Sequence, residues 1–443
     1  MKSDFINELG TLFNQNNSIS DDIYNKLDVK RGLRNKNGTG VLVGLTKIGS
    51  VLGYSVNKKG KKIPEKGKLY YRGISIDKLV EQFEKEKIFC FEKTMFLLLF
   101  GKVPSNFELK MFVSTLKEYR HLPDEFIEDF ILRKPSTDIM NHLQRAVLCL
   151  YTLDENPDDV SLSNLIDQSL NLIAKFPSLL VYCYQACNYK HFKKSLIIHN
   201  PMEEYSIAEN ILHMLRSDSK FTKLESEILD LILVIHAEHG GGNNSTFTSH
   251  VISSTRTDTY SSISASIGSL KGPMHGGANS MVTKMIEDMK KNSNPYDEIK
   301  LKEYLKKIFE KKAFDKTGRI YGMGHAVYTV SDPRAEILKK KAYELAKEKG
   351  QLEEFELFSN VEKFTKEIGK ELKGENFEIC ANVDLYSGFV YKLLNIPKNI
   401  FTPLFALARI ASWNAHRIEQ ITSDRRIIRP AYKAVDANGK LLT

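Results

Sequence analysis

The sequence predicts an all-α protein with a few short strands near its N-terminus. Three observations carry this. Apolar residues recur at three- and four-residue spacing over most of the chain beyond residue 79. Alternation of apolar and small residues is confined to 41–56. The 443 residues also leave room for more than one hydrophobic core.

Taken in order, residues 1–30 read as helix and polar lead-in, and 31–40 as a basic, glycine-broken loop. Glycines at 44, 49 and 53 break the stretch 41–56 into short strands or turns. Leu69-Tyr70-Tyr71-Arg72-Gly73 then leads into a helix signalled by Ser75 and Asp77. An apolar helix over 89–100 stops at Gly101 and Pro104. Helical spacing marks 111–119, 137–151, 162–175, 178–188 and 207–214. The stretch 224–235 is apolar nearly all round, as expected at the centre of a bundle. Residues 260–270 are rich in Ser, Ala and Gly, which suits close helix contact. Helices over 278–291, 301–311, 333–349, 361–372, 385–394 and 401–421 complete the set. Polar, turn-like breaks at 292–295 and 373–376 enclose amphipathic, lysine-rich helices. They point to a small domain (275–390) inserted into a large one formed by 1–274 and 391–443.

The composition, 42% hydrophobic and 27% charged, is that of an ordinary soluble protein. No apolar run approaches the ~20 residues that span a bilayer. The first five residues lack a signal core and are too acidic for a transit peptide, so the expected location is cytoplasmic. The five cysteines show no metal-ligand spacing and are read as reduced thiols. A net charge of +9 spread over scattered lysines describes a solvated surface and suits an anionic small substrate. No basic stripe interleaved with aromatics marks a nucleic-acid face.

Chemistry concentrates in four glycine- and asparagine-rich settings. The first is Gly272-Pro273-Met274-His275-Gly276-Gly277-Ala278-Asn279. Its glycines leave the His275 ring uncovered, and the helix that follows, with Asn279 near its start, disfavours imidazolium. A neutral imidazole there can donate a hydrogen bond to a carbonyl oxygen becoming an enolate. The alternative is a turn whose histidine only packs. His239 precedes Gly240-Gly241-Gly242-Asn243-Asn244-Ser245. His325 lies in Gly322-Met323-Gly324-His325-Ala326-Val327-Tyr328, nine residues before Arg334, and Asp384 in Asn382-Val383-Asp384-Leu385-Tyr386-Ser387-Gly388. Singly, each could be a helix cap; four in one chain suggest a site. His236 and His239, with His275, could serve a metal-dependent hydrolase, but the spacing is not that of helical zinc ligands.

Together these motifs, in this order and spacing, resemble the citrate synthase family, from about residue 40 to 430. Leu69-Tyr70-Tyr71-Arg72-Gly73-Ile74, Ala406-Leu407-Ala408-Arg409 and Arg429-Pro430 extend the resemblance. It implies a two-domain helical homodimer that condenses acetyl-CoA with oxaloacetate through an enol and hydrolyses citryl-CoA, with no metal or tightly bound cofactor. By resemblance Asp384 is the base, His275 the neutral donor to the enol, and His325 the group that polarises the oxaloacetate carbonyl. His239, Arg334, Arg409 and Arg429 would hold the substrate carboxylates, Arg429 from the other subunit. Ser245 would accept from the other ring nitrogen of His275. Gly322, Met323 and Gly324 are candidates for binding CoA. Thr329 stands where many members carry a basic residue near the CoA phosphates; the loop 31–36 and Lys271 are possible substitutes. Use of propionyl-CoA, as in 2-methylcitrate synthases, and a catalytically silent relative are the alternatives.

Overall fold

The computed structural model describes residues 2–86, 89–424, 426–436 and 438–442 (for Lys2 the backbone alone). It divides into two compact units: Met1–Gly44, Val56–Lys62 and Ile427–Thr443 in one, Leu45–Ser55 and Ile63–Arg426 in the other.

The smaller unit carries the helices Lys2–Asn17 and Asp21–Lys26. None of its described residues is buried, and Phe5, Ile6, Leu9, Leu12, Phe13 and Tyr432 expose their apolar surface.

The larger unit is helical. At its centre lies Lys223–His236, started by a capping box in which Thr222 and Glu225 bond reciprocally. Every residue from Ile228 to His236 is buried, so this helix has neighbours all round, as its unbroken apolar sequence requires. It packs against Phe401–Ser423, Cys90–Phe100 and Ile207–Leu215.

Two expectations need correction. Residues 162–175 and 178–188 are not separate helices but parts of one, Leu162–Phe192, which continues through Pro177. A proline inside a helix costs about 3 kcal/mol. Here Phe176, Pro177, Ser178, Leu179 and Leu180 are all buried, and packing on both sides of the break offsets that cost. A second helix, Asn244–Ser253, gives almost no apolar period, because its inner face is Ser245, Thr246, Ser249 and Ser253. Those small residues pack on Thr259–Lys271, with Ser249 and Ser253 both bonded to Ser262. Thr259–Lys271 also packs on Ile139–Cys149, so its small residues serve contacts within the chain.

A three-stranded sheet of β1 (Gly49–Val56), β2 (Lys62–Tyr71) and β3 (Ile74–Ser75), in that order, completes the architecture. Strands β2 and β3 pair antiparallel, Tyr70 with Ser75 and Tyr71 with Ile74. The sheet lies against the loop after His325 with no space between backbones. A Cβ on Gly53 would sit 2.5 Å from the Val327 carbonyl oxygen, and one on Gly67 only 2.1 Å from that of Ser331. Among the described residues, no helix is long and apolar enough to cross a membrane.

Candidate active site

A cavity of about 680 Å³ opens in the larger unit, walled by residues from six separate segments. It brings together His239, His275, His325, Gly324, Arg334, Asp384 and Arg409, as well as His236 and Asn243. Gly322 and Met323 are not in its wall, and Ser245 stands behind His275. Arg429 belongs to the smaller unit and is exposed. A larger cavity, about 850 Å³, is lined by Glu84, Glu204, Glu227, Glu344 and other carboxylates, which repel an anionic substrate.

His325 and Asp384 share the cavity because two loops are laced together. Gly324 N donates to Cys380 O at 2.7 Å and Asn382 N to Gly322 O at 2.9 Å. Asn382 Nδ2 also donates to Gly324 O at 2.8 Å. At Gly322 φ is +83°, and a Cβ would meet the Leu385 Cα at 2.9 Å, so the glycine is needed for backbone reasons alone. Asp384 is not the cap of Val383–Leu393; that is Asn382, whose Oδ1 accepts from Asp384 N at 3.0 Å. The Asp384 carboxylate is therefore free of the backbone. Burial raises its pKa to about 6, against the pull of Arg334.

The histidines are neutral for the same reason. Burial lowers His325 to about 4, with Arg334 adding to the effect. Its Nδ1 accepts from Val327 N at 3.0 Å and Tyr328 N at 3.2 Å, which leaves Nε2 to carry the proton. Burial, then Arg409, lowers His275 to about 4. The cap of the following helix is Gly277, not Asn279; Asn279 Nδ2 instead donates to Ser387 Oγ at 2.6 Å, joining Ala278–Asn292 to Val383–Leu393. Desolvation rather than the start of a helix thus keeps His275 neutral. Its Nε2 lies 3.2 Å from Ser245 Oγ. His239 is held well below the usual histidine range by burial and by Arg334, and its buried Nε2 has no partner. His236 donates from Nδ1 to Ile232 O at 2.8 Å and packs on Phe405. Among the described residues no three His, Cys, Asp or Glu side chains are grouped to hold a metal.

The two arginines differ. Arg334 is clamped by Asp332 through Nε at 3.0 Å and Nη2 at 2.8 Å, so its charge is already half spent within the chain. Arg409 is 1% exposed; its Nε donates to His236 O and its Nη1 has no partner. Burial lowers it to about 10, while the Glu238 carboxylate opposes that shift. A buried, unpartnered guanidinium nitrogen in a cavity wall is a receptor for an anion, and His239 lines the same cavity.

A family model, "Citrate synthase, C-terminal domain", matches residues 37–431. The chain belongs to the citrate synthase family. It is 32% identical to a citrate synthase from Haloferax volcanii over 410 residues, covering 91% of this chain and 94% of that one. It is 34% identical to 2-methylcitrate synthase 1 of Corynebacterium glutamicum over 384 residues, covering 85% and 92%. Among solved structures, the citrate synthase of Thermoplasma acidophilum in ternary complex with carboxymethyl coenzyme A and oxaloacetate superposes with a TM-score of 0.71 at 27% identity, covering 91% of this chain and 95% of that one.

Within this citrate synthase site, several side chains escaped the sequence reading. Asp332 and Glu238 were not among the candidates, yet both are essentially buried and balance Arg334 and Arg409. The signal was available in Asp332-Pro333-Arg334, where a carboxylate two residues from an arginine can reach it. Arg319 lines the cavity and is exposed, whereas Lys271 pairs with Asp138 at 3.3 Å and residues 31–36 belong to the smaller unit.

Asp384 is expected to take up its proton as pH falls through about 6, while His275 and His325 stay neutral down to about 4. The ionised form, the only one able to accept a proton, is thus lost on the acid side. Carboxyl ¹³C NMR of wild type against Asp384→Asn checks this; a midpoint in the ordinary aspartate range would refute it.

Proposed function

We propose that this chain is a citrate synthase that condenses acetyl-CoA with oxaloacetate. Asp384 removes a proton from the acetyl methyl group while His275 hydrogen-bonds the thioester oxygen. The methyl carbon then bonds to the ketone carbon of oxaloacetate, whose oxygen takes a proton from His325 Nε2. Water cleaves the citryl thioester, releasing citrate and the CoA thiol. A thioester methyl is a very weak acid, so base and donor must act on it together. The observation that carries this reading is one cavity holding a carboxyl poised near pH 6, two neutral imidazoles, and unpartnered nitrogens on His239 and Arg409. His239, Arg334 and Arg409 take the oxaloacetate carboxylates. The chemistry calls for no metal or tightly bound cofactor.

Residues 275–390 form the smaller domain in this reading. It carries His325 and Asp384, while His239 and Arg409 belong to the remainder, so a shift between them opens and closes the cavity. The active form is a homodimer, with Arg429 completing the other subunit's site. The unburied smaller unit supports this: its exposed apolar side chains are what a second copy would cover. Five cysteines that form no disulfide suit a cytoplasmic setting. Arg319 replaces the missing base at Thr329 as the cation for the CoA phosphates.

Thiol release from acetyl-CoA and propionyl-CoA, with and without oxaloacetate, tests the function. Oxaloacetate-dependent release favouring acetyl-CoA is expected, lost in Asp384→Ala. Preference for propionyl-CoA would make the chain a 2-methylcitrate synthase, since one methylene is worth only ~1–3 kcal/mol in an apolar pocket. No release from folded protein would leave a silent relative.

Arg319→Ala should raise the KM for acetyl-CoA about two- to fivefold, the worth of one exposed ion pair, without raising that for oxaloacetate. Equal shifts in both would remove Arg319 from the CoA site.

Unfolding and refolding Asp384→Ala together with Arg429→Leu should restore about a quarter of wild-type activity, because half the dimers are mixed and each has one intact site. If Arg429 serves its own subunit, no restoration follows beyond the single variants.

A further inference from the structure

We infer that Asn243 and Trp413 are positioning residues that set, through the Ser245 hydroxyl, which ring nitrogen of His275 carries its proton. The inference rests on the reading of His275 as donor to the thioester oxygen, and it begins with a proton count. A neutral imidazole has one N–H and one bare nitrogen. To donate from Nδ1 to a substrate, His275 must leave Nε2 bare, and its neighbour Ser245 must then be a donor.

In the structure Ser245 is spent otherwise. Its hydroxyl donates to Asn243 Oδ1 at 2.9 Å. The indole Nε1–H of Trp413, which can only donate, occupies one lone pair of the same oxygen at 3.3 Å. What Ser245 turns towards His275 Nε2, 3.2 Å away, is its second lone pair. That arrangement satisfies Ser245 fully and holds the proton on Nε2, so Nδ1 is bare. With Ser245 accepting from His275, this is the resting form and not the form that can stabilise an enol.

The reacting form needs one hydroxyl rotation. Ser245 leaves Asn243 and donates to Nε2, while Nδ1 holds the proton that meets the thioester oxygen. Protons balance through water: Nδ1 gains one and Nε2 yields one. Trp413 remains a donor in both forms, so the Ser245 proton has only two places to go, Asn243 or His275. Both Ser245 and Trp413 are fully buried, which excludes a water competing at that oxygen, whereas Asn243 lines the cavity and can respond to what binds there. A carbonyl oxygen placed against bare Nδ1 is repelled, so the acyl substrate itself drives the exchange.

The test is ¹⁵N NMR of enzyme labelled at histidine, free, with oxaloacetate, and with oxaloacetate plus carboxymethyl-CoA as an unreactive acyl analogue. His275→Asn assigns the resonance. The free enzyme should show Nε2–H and the ternary complex Nδ1–H. Asn243→Ala, which removes the rival acceptor, should bring Nδ1–H into the free enzyme. Trp413→Phe should mix the tautomers and lower kcat about tenfold, the loss of one hydrogen bond, with the oxaloacetate KM unchanged. One tautomer throughout in wild type, with both ligands bound, overturns the inference; so does an Asn243→Ala spectrum identical to that of the wild type. If calorimetry shows that oxaloacetate and carboxymethyl-CoA do not bind at all, the proposed function fails and this inference with it.

Discussion

A single positive charge organises the cavity. Arg409 sits in the middle of Phe401–Ser423 with almost no exposure, where an isolated ion would be very costly. Several groups answer to it. Glu238, though burial pushes its carboxyl up, is held down at about 2 by His416 and Arg409, and so supplies a true countercharge. The carbonyl of His236, at the end of the central helix, accepts from Nε and brings the negative helix terminus to bear. The same charge discourages protonation of His275, His236 and His239. Removing it would therefore do more than delete a ligand contact; it would leave Glu238 as a buried, poorly compensated anion.

Around that charge, opposite shifts arise from one cause. Desolvation raises a carboxyl and lowers an imidazole, so burial in one cavity leaves a carboxyl that is ionised at neutral pH beside imidazoles that are not. Asp384 and His325 need no special partners to reach these states. They need only the lacing of 322–324 to 380–382 that carries both into the same wall. Arg334 is the counterweight: Asp332 holds it, against burial, above even the ordinary arginine range, and the pair orients without adding a full free charge.

Much of this was legible in the chain. His239, His275, His325 and Asp384, each marked by its glycine- and asparagine-rich setting, line one cavity, and most helical periods fall where the apolar residues place them. Illegible parts share one physical character, in that local pattern was overruled by contacts distant in sequence. Pro177 is a helix breaker by every local rule, yet buried flanks carry the helix through it. Asn244–Ser253 has no apolar stripe because its partner helix offers hydroxyls instead. Asn279 reads as a cap but is recruited by Ser387, 108 residues on. Glu238 carries no local signal of its burial, since its partners Arg409 and His416 come from far along the chain.

The glycine-thin contact between sheet and His325 loop limits how this cavity can change over evolutionary time. At Gly53 and Gly67 even a methyl group has no room, so the wall behind His325 cannot be remodelled one substitution at a time. Elsewhere the cavity is lined by side chains, Leu270, Ala278, Phe401 and Phe405 among them, and these can be exchanged without moving backbone. Change in what the cavity accepts is therefore channelled to those side chains, while the wall behind His325 stays as it is. A fold that varies in one part of its pocket and not in another can give rise to relatives that differ in one substrate and share the other.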